Sequence, residues 1–404
     1  MSRLRILSRF SVRLTFLVAT AALAQAPTAD PHAHARPATQ NATAPAGTAD
    51  QAGAACRAAG LTGSAAVAQK CSSCHASQAL SQPLTPMGRA LQLAPADPTL
   101  KEHPNLSFHS GPYTYTIKTE GEKSTYSVTD GAQTISLPIK WTLGVGGQTW
   151  VLERNGKLYE SLVSFYPAIS GLDITTGDEI LKPATLEEAM GREISKEDSR
   201  ACFGCHATNS VVNGQLSLET LQPGITCQHC HDGALLHAAD AEQGAFDTAP
   251  PKLGQMSSEK ISNYCGQCHR TWETVVRNRW HGPVNVRFPA YRIANSRCFD
   301  GKDPRISCVA CHDPHQNVPR TPVAYDAKCV ACHAPALSAP SPKPAALQSS
   351  AGLTGHEHVK ACPVAKNNCT SCHMPKVVFP GGGGHLTFTD HDIRIVKPGD
   401  AYPD

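Results

Sequence analysis

At 404 residues the chain could form one or two domains, yet only 6% of it is aromatic and 17% charged, with 31 Gly and 31 Pro. That is lean material for an ordinary hydrophobic core. The formal charge is +3, and it falls to −1 once Arg3, Arg5, Arg9 and Arg13 are removed. The remainder lacks the basic surplus of a nucleic-acid-binding protein.

Those four arginines lead into an apolar run from about Leu14 to Leu23, followed by Ala22 and Ala24 as a small-residue cleavage site before Gln25. Residues 1–24 therefore read as an export signal, and its apolar run is too short to span a bilayer. No transmembrane segment is expected after its removal, and the mature chain is expected in the periplasm or otherwise outside the cytoplasm. Residues 25–55 are rich in Ala, Pro, Thr and Gln without periodicity, the pattern of a disordered linker. His32 and His34 fall there and are not expected to be ligands.

Cys71, Cys74 and His75 open a pattern, Cys-x-x-Cys-His, that recurs six more times. The later copies are Cys202/Cys205/His206, Cys227/Cys230/His231, Cys265/Cys268/His269, Cys308/Cys311/His312, Cys329/Cys332/His333 and Cys369/Cys372/His373. Histidine is only 19 of 404 residues, so seven chance matches would arise about once in a billion trials. A zinc site of four thiolates has no use for a histidine after every second cysteine. The pattern is the attachment site of a c-type haem: two thiols take the vinyl groups and the histidine supplies the fifth iron ligand. Three cysteines remain. Cys298 and Cys362 flank the same cluster and are expected to pair in an oxidising compartment, leaving Cys56 over.

The first haem segment covers residues 56–104. Its Thr85-Pro86-Met87-Gly88-Arg89 stretch offers Met87 as a sixth ligand, or as a side chain filling a gap beside the macrocycle. Residues 105–175 change character. Tyr113, Tyr115 and Ile117 alternate, as do Ile135, Leu137 and Ile139, with turn signals at Gly121, Asp130-Gly131 and Asn155-Gly156. Period two with such turns predicts an inserted antiparallel meander. His109 precedes its alternating residues; it is a candidate to reach back to a haem iron, or a plain surface histidine.

Residues 176–404 hold six motifs, with roughly 29 residues per haem between Cys202 and His373. His229 lies inside an attachment loop and points outward. His237 follows His231 too closely to cap the same macrocycle, and so suits a neighbouring one. Trp272, Val275, Val276, Arg279 and Trp280 suggest a helix running to His281-Gly282-Pro283, which would put His281 about 18 Å beyond His269 and at another iron. A basic run, Arg277 through Arg305, reads as a solvated face or as partners for haem propionates. His315, past Pro314, again suits a second haem. Residues 334–352 read as a loop, with His356 and His358 as weaker candidates beyond it. The glycine run Gly381–Gly384 lets the chain turn back, so that His385 and His391 reach different irons, or one of them hydrogen-bonds instead.

These stretches resemble multihaem cytochromes c related to hydroxylamine oxidoreductase and the pentahaem nitrite reductases. The likeness extends further to exported multihaem cytochromes that often carry tetratricopeptide repeats. It is carried by Thr85–Arg89, Gly224 through His237, Cys308 through His315, Cys369 through Pro375 and Phe388-Thr389-Asp390-His391. The resemblance implies Met87, His109, His237, His281, His315, His385 and His391 as distal ligands. The few residues per haem imply a fold of mostly short α-helices and irregular loops wrapped round a haem array, with the inserted antiparallel β-meander. The nitrite reductases mark their catalytic haem with lysine in place of the motif histidine, whereas all seven motifs here end in histidine. The expected function is thus electron transfer between unidentified redox protein partners, with seven haem c groups mostly ligated by two histidines. The alternative is an oxidoreductase acting on a small nitrogen or sulfur compound at one five-coordinate haem.

Overall fold

The structure is a computed structural model that describes residues 70–333, 362 and 364–403. The expected export signal and linker, with His32 and His34, as well as Cys56, the expected loop at 334–352, His356 and His358, lie outside the described residues.

The largest element is a nine-stranded antiparallel sheet. Its strands are β1 (Leu91–Leu93), β2 (Asn105–Ser110), β3 (Tyr113–Glu120), β4 (Lys123–Thr129), β5 (Thr134–Leu143), β6 (Gln148–Arg154), β7 (Lys157–Tyr166), β8 (Gly171–Ile174) and β9 (Gly191–Glu193). β2 to β8 pair in chain order, β1 adds to β5, and β9 adds to β7. Register shifts near Ile139/Trp141 and Thr149/Val151 add local twist. With β2 and β8 drawn close together, the sheet curls nearly into a barrel. The β6–β7 connection is a two-residue turn, with Asn155 at φ 53° and Gly156 at φ 74°, as a type I′ hairpin requires.

This sheet overturns the expected fold class of mostly short α-helices and irregular loops with an inserted antiparallel meander. The reason is where the aromatic residues sit. They are scarce across the chain but concentrated here: Tyr115, Tyr126 and Trp150 are fully buried, with ring centroids 6.4 and 6.2 Å apart along the series. Ile117, Leu152, Val163 and Phe165 complete the cluster, and the helix Leu186–Met190, capped by Thr185, closes it with Leu186, Ala189 and Met190. The sheet also recruits β1 from the segment before the meander and β9 from the segment after it.

The remaining chain is short helices, most of them carrying a motif: Lys196–His206, Cys227–Cys230, Ser258–His269, Cys308–Cys311, Asp326–His333 and Cys369–His373. Ser195 and Ser257 cap two of them through their hydroxyl oxygens. The continuous helix expected toward His281 is not formed. The chain breaks at Arg270 (φ 60°), runs helical only over Trp272–Arg277, and turns again at Arg279 (φ 52°). Cys298 and Cys362 do not pair; both are free thiols, and Cys298 lies near Cys332 instead. Among the described residues no helix is long and apolar enough to cross a membrane.

Trp150→Ala should remove the centre of the sheet's core and destabilise the protein by about 3–5 kcal/mol. A denaturation midpoint that moves by the equivalent of less than about 1 kcal/mol would show that this ring is not the keystone of the cluster.

Candidate functional site

The motif at Cys202–His206 is built onto the sheet. Phe203, between its two cysteines, is fully buried and meets the Trp141 ring edge-on at 5.3 Å, in a cluster with Leu91, Leu143, Val151 and Ile194. The Ala90 carbonyl accepts two hydrogen bonds at 2.9 Å, one from the Gly144 N–H at the end of β5 and one from His206 Nδ1. Arg192 of β9 pairs with Glu160 of β7 and, at 3.3 Å, with Asp198 of the motif's own helix. The motif is therefore held by apolar packing, backbone hydrogen bonding and an ion-pair network together.

The other motifs lie against one another. The thiols of Cys71 and Cys227 are in hydrogen-bond contact, which holds Cys227 down to about 6, and those of Cys265 and Cys308 likewise touch. Cys205 faces Cys268, which holds it down to about 7, and its sulfur also lies 3.9 Å from the Gln267 carbonyl. The Tyr264 hydroxyl donates to the Cys230 carbonyl. Asp326, at the start of one motif helix, accepts from Asn368 N–H at 2.7 Å and Cys369 N–H at 2.9 Å at the start of another. Cys329 feels both Cys311 and Cys369. The contacts link the first copy to the third, then the fourth, fifth, sixth and seventh, while the second copy touches the fourth and the sheet. A close backbone approach completes the first junction. Gly224 has φ +73°, and a Cβ there would collide with the Gly88 carbonyl. The Met87 carbonyl accepts from Ile225 N–H at 3.0 Å, just before Cys227.

The histidines divide by which ring nitrogen is held. A carbonyl or carboxylate oxygen only accepts, so an Nδ1 bonded to one carries the proton and leaves Nε2 with a lone pair. His206 Nδ1 donates to Ala90, His373 Nδ1 to the Arg394 carbonyl at 2.8 Å, His391 Nδ1 to the Thr389 carbonyl at 3.0 Å, and His315 Nδ1 to Asp313 Oδ1 at 3.0 Å. This is how a metal-ligating imidazole is oriented. His231 and His315 lie nearly parallel, with centroids 6.0 Å apart, and His312 and His391 are 6.2 Å apart. Two imidazoles on opposite faces of one metal, at about 2 Å per bond, would put their centroids about 6 Å apart. The two centroid separations match that spacing, the first pair with nearly parallel rings and the second tilted by 53°. Burial, and then His312 nearby, push the His391 ring down to about 4, so it is neutral as a ligand must be.

The other expected ligands are placed less uniformly. His237 lies on the helix Ala234–Glu242 with a buried Nδ1 that has no hydrogen-bond partner among the described residues. His281 is exposed where the Gly282–Arg287 turn begins. Met87 is half-buried beside the third motif copy. His109 is exposed on β2 and bonds across the strand to Thr114 Oγ1 at 3.1 Å. His385 uses Nε2 itself, donating to Asp173 Oδ2 at 2.8 Å, and packs on Tyr166 of the sheet. Neither His109 nor His385 is brought to a motif histidine. His75, His269 and His333 retain exposed surface.

One group was not legible as part of the site. Within the basic run, Arg292 is wholly buried and makes a two-pronged pair with Asp390 at 2.8 and 3.0 Å. Arg394 approaches the same carboxylate at 2.6 Å, and Arg292 reaches Asp392 at 3.2 Å. Burial alone would raise Asp390, but the two guanidinium groups hold it below the usual carboxylate range. Arg277 pairs with Glu273 and Arg305 with Asp303, so the run is neither a uniform solvated face nor a uniform propionate clamp. The only signal in the sequence was the local alternation Asp390-His391-Asp392-Ile393-Arg394, which names no distant partner.

No protein-family model matches the chain, and no curated protein is similar to it. A solved structure titled as the outer cell wall cytochrome OcwA overlaps 81% of this chain and 79% of its own, at 14% identity and a TM-score of 0.45. A likeness that remote carries no conclusion about this chain's site or chemistry.

In the protein isolated with its haem, His315→Ala should turn one low-spin ferric iron high-spin, while His109→Ala should leave every iron unchanged. Electron paramagnetic resonance of the oxidised protein reads both, and the converse pattern would refute the histidine assignment.

Proposed function

We propose that this chain is an exported multihaem c-type cytochrome that carries electrons through seven covalently attached haems. The observation that carries the reading is the pairing of two motif imidazoles with second imidazoles at 6.0 and 6.2 Å, the second ring of each pair, His315 or His391, being held through its Nδ1. Cys71, Cys74, Cys202, Cys205, Cys227, Cys230, Cys265, Cys268, Cys308, Cys311, Cys329, Cys332, Cys369 and Cys372 would hold the macrocycles. The seven motif histidines would supply the fifth ligands. His315 and His391 would complete the coordination opposite His231 and His312. Met87, His237 and His281 remain ligands for other irons in this reading, whereas His385 leaves the set because its Nε2 is taken by Asp173, and His109 because it stands exposed on β2, bonded to Thr114 of the neighbouring strand.

A bound haem supplies a one-electron couple whose potential follows axial ligands, burial and nearby charge. The chain's own residues set those conditions. Backbone carbonyls hold the imidazole tautomers, and contacts between motifs leave no gap in the series. The low net charge and the export signal suit redox protein partners outside the cytoplasm rather than nucleic acid. Kinship with the hydroxylamine oxidoreductase group rests on the short motif stretches of the sequence.

A second reading is favoured by the withdrawal of His109 and His385. Two irons then lack their expected sixth ligand, and one left open would make the protein an oxidoreductase for a small nitrogen or sulfur compound.

Pyridine haemochrome absorbance and intact mass of the exported protein should count seven haems; a count of none, one or two would sink the proposal. Carbon monoxide added to the dithionite-reduced protein should leave the spectrum of a pure carrier unchanged. Binding at one or two irons would instead select the enzyme.

A further inference from the structure

We propose that Arg292 and Asp390 form a positioning device that fixes His391 opposite His312, an inference that rests on the haem reading above. His391 directs Nδ1 to Thr389 O, a bond two residues back in its own segment. That bond sets the tautomer but turns with the segment, so it cannot fix the ring relative to His312. The fixing comes from the helix Pro289–Ala294 and the residues just after it. Arg292 of that helix grips Asp390 with two nitrogens at 2.8 and 3.0 Å, both side chains being fully buried. Ser296 Oγ donates to the His391 carbonyl at 3.1 Å and accepts from Ile393 N–H at 2.8 Å. The Asp392 N–H returns to Asp390 Oδ1 at 3.1 Å. The backbone is therefore held at the residue before His391, at His391 itself and at the two residues after it.

The chemistry chosen argues for geometry rather than stability. A buried ion pair gains little over well-packed apolar side chains of the same size, because both ions lose water. What a guanidinium–carboxylate fork adds is direction: two parallel bonds fix the plane and angle of the carboxylate. Here that direction is passed to the next residue, whose ring must meet one face of one metal. Arg292 also reaches the Pro403 carbonyl at 3.1 Å and lies over the Tyr402 ring at 4.6 Å, which keeps the guanidinium from rotating.

The haem-loaded full chain tests this with Asp390→Asn, using His391→Ala as the reference. Both variants should keep the wild-type haem count. Each should convert a single low-spin ferric iron to high-spin and open it to carbon monoxide when reduced. The double variant should open no second iron, and Asp390→Glu should restore part of the low-spin signal. Wild-type spectra for Asp390→Asn would overturn the proposal, as would several irons opening at once, the mark of a merely structural loss. Should Asp390→Asn fail to accumulate, Ser296→Ala decides: a rise in the high-spin fraction of that one iron supports the device, and no change refutes it. If His391→Ala itself leaves every iron low-spin while seven haems are present, His391 is not a ligand; the device then falls but the cytochrome reading stands.

Discussion

An imidazole has two nitrogens, and a hydrogen bond that fixes the proton on one leaves the other free for a metal. That constraint orders much of this structure. Ala90, Thr389 and Arg394 each spend a backbone carbonyl, and Asp313 a carboxylate oxygen, on the Nδ1 of a histidine. In each case Nε2 keeps its lone pair. His385 shows the opposite arrangement, with Nε2 committed to Asp173, and it belongs to the sheet rather than to a motif. Spacing in the sequence placed the two classes side by side; the hydrogen bonds separate them.

The same economy explains how so little chain can organise seven Cys-x-x-Cys-His motifs. Each motif stands at or within a short helix, and its neighbours in space are other motifs, so one motif forms part of the wall of the next. Tyr264 does this through one hydrogen bond to the backbone of a neighbouring motif, and Asp326 through two at the start of another. Among the described residues the sheet supplies the largest apolar core. Its aromatic residues are pooled around Tyr126 and Trp150, which is how a chain poor in aromatics overall can still build a self-sufficient body.

The motifs, the strand alternation and the Asn155-Gly156 turn were legible because each is a local rule: a fixed spacing, a period of two, a residue pair that accepts positive φ. The meeting of His315 with a motif histidine other than its neighbour His312 was also legible, since Pro314 and the short span turn it away from its own motif. The size of the sheet was not, because β1 and β9 are three residues each and pair with strands far along the chain. The helix to His281 failed for a similar reason: apolar spacing continued across Arg270 and Arg279, whose left-handed backbone only the fold reveals. The pairing of Arg292 with Asp390 spans 98 positions, and no pattern in a single sequence joins them. Cys298 and Cys362 were matched by elimination, which takes no account of distance.

Phe203 occupies one of the two free positions inside an attachment motif, yet its ring is lodged in the sheet beside Trp141. The two sulfurs on either side of it are thus tethered to the sheet by an apolar plug. Displacing those strands would move the motif with them. Under the proposed reading, the colour and potential of a haem held there would gauge whether the neighbouring β structure is intact.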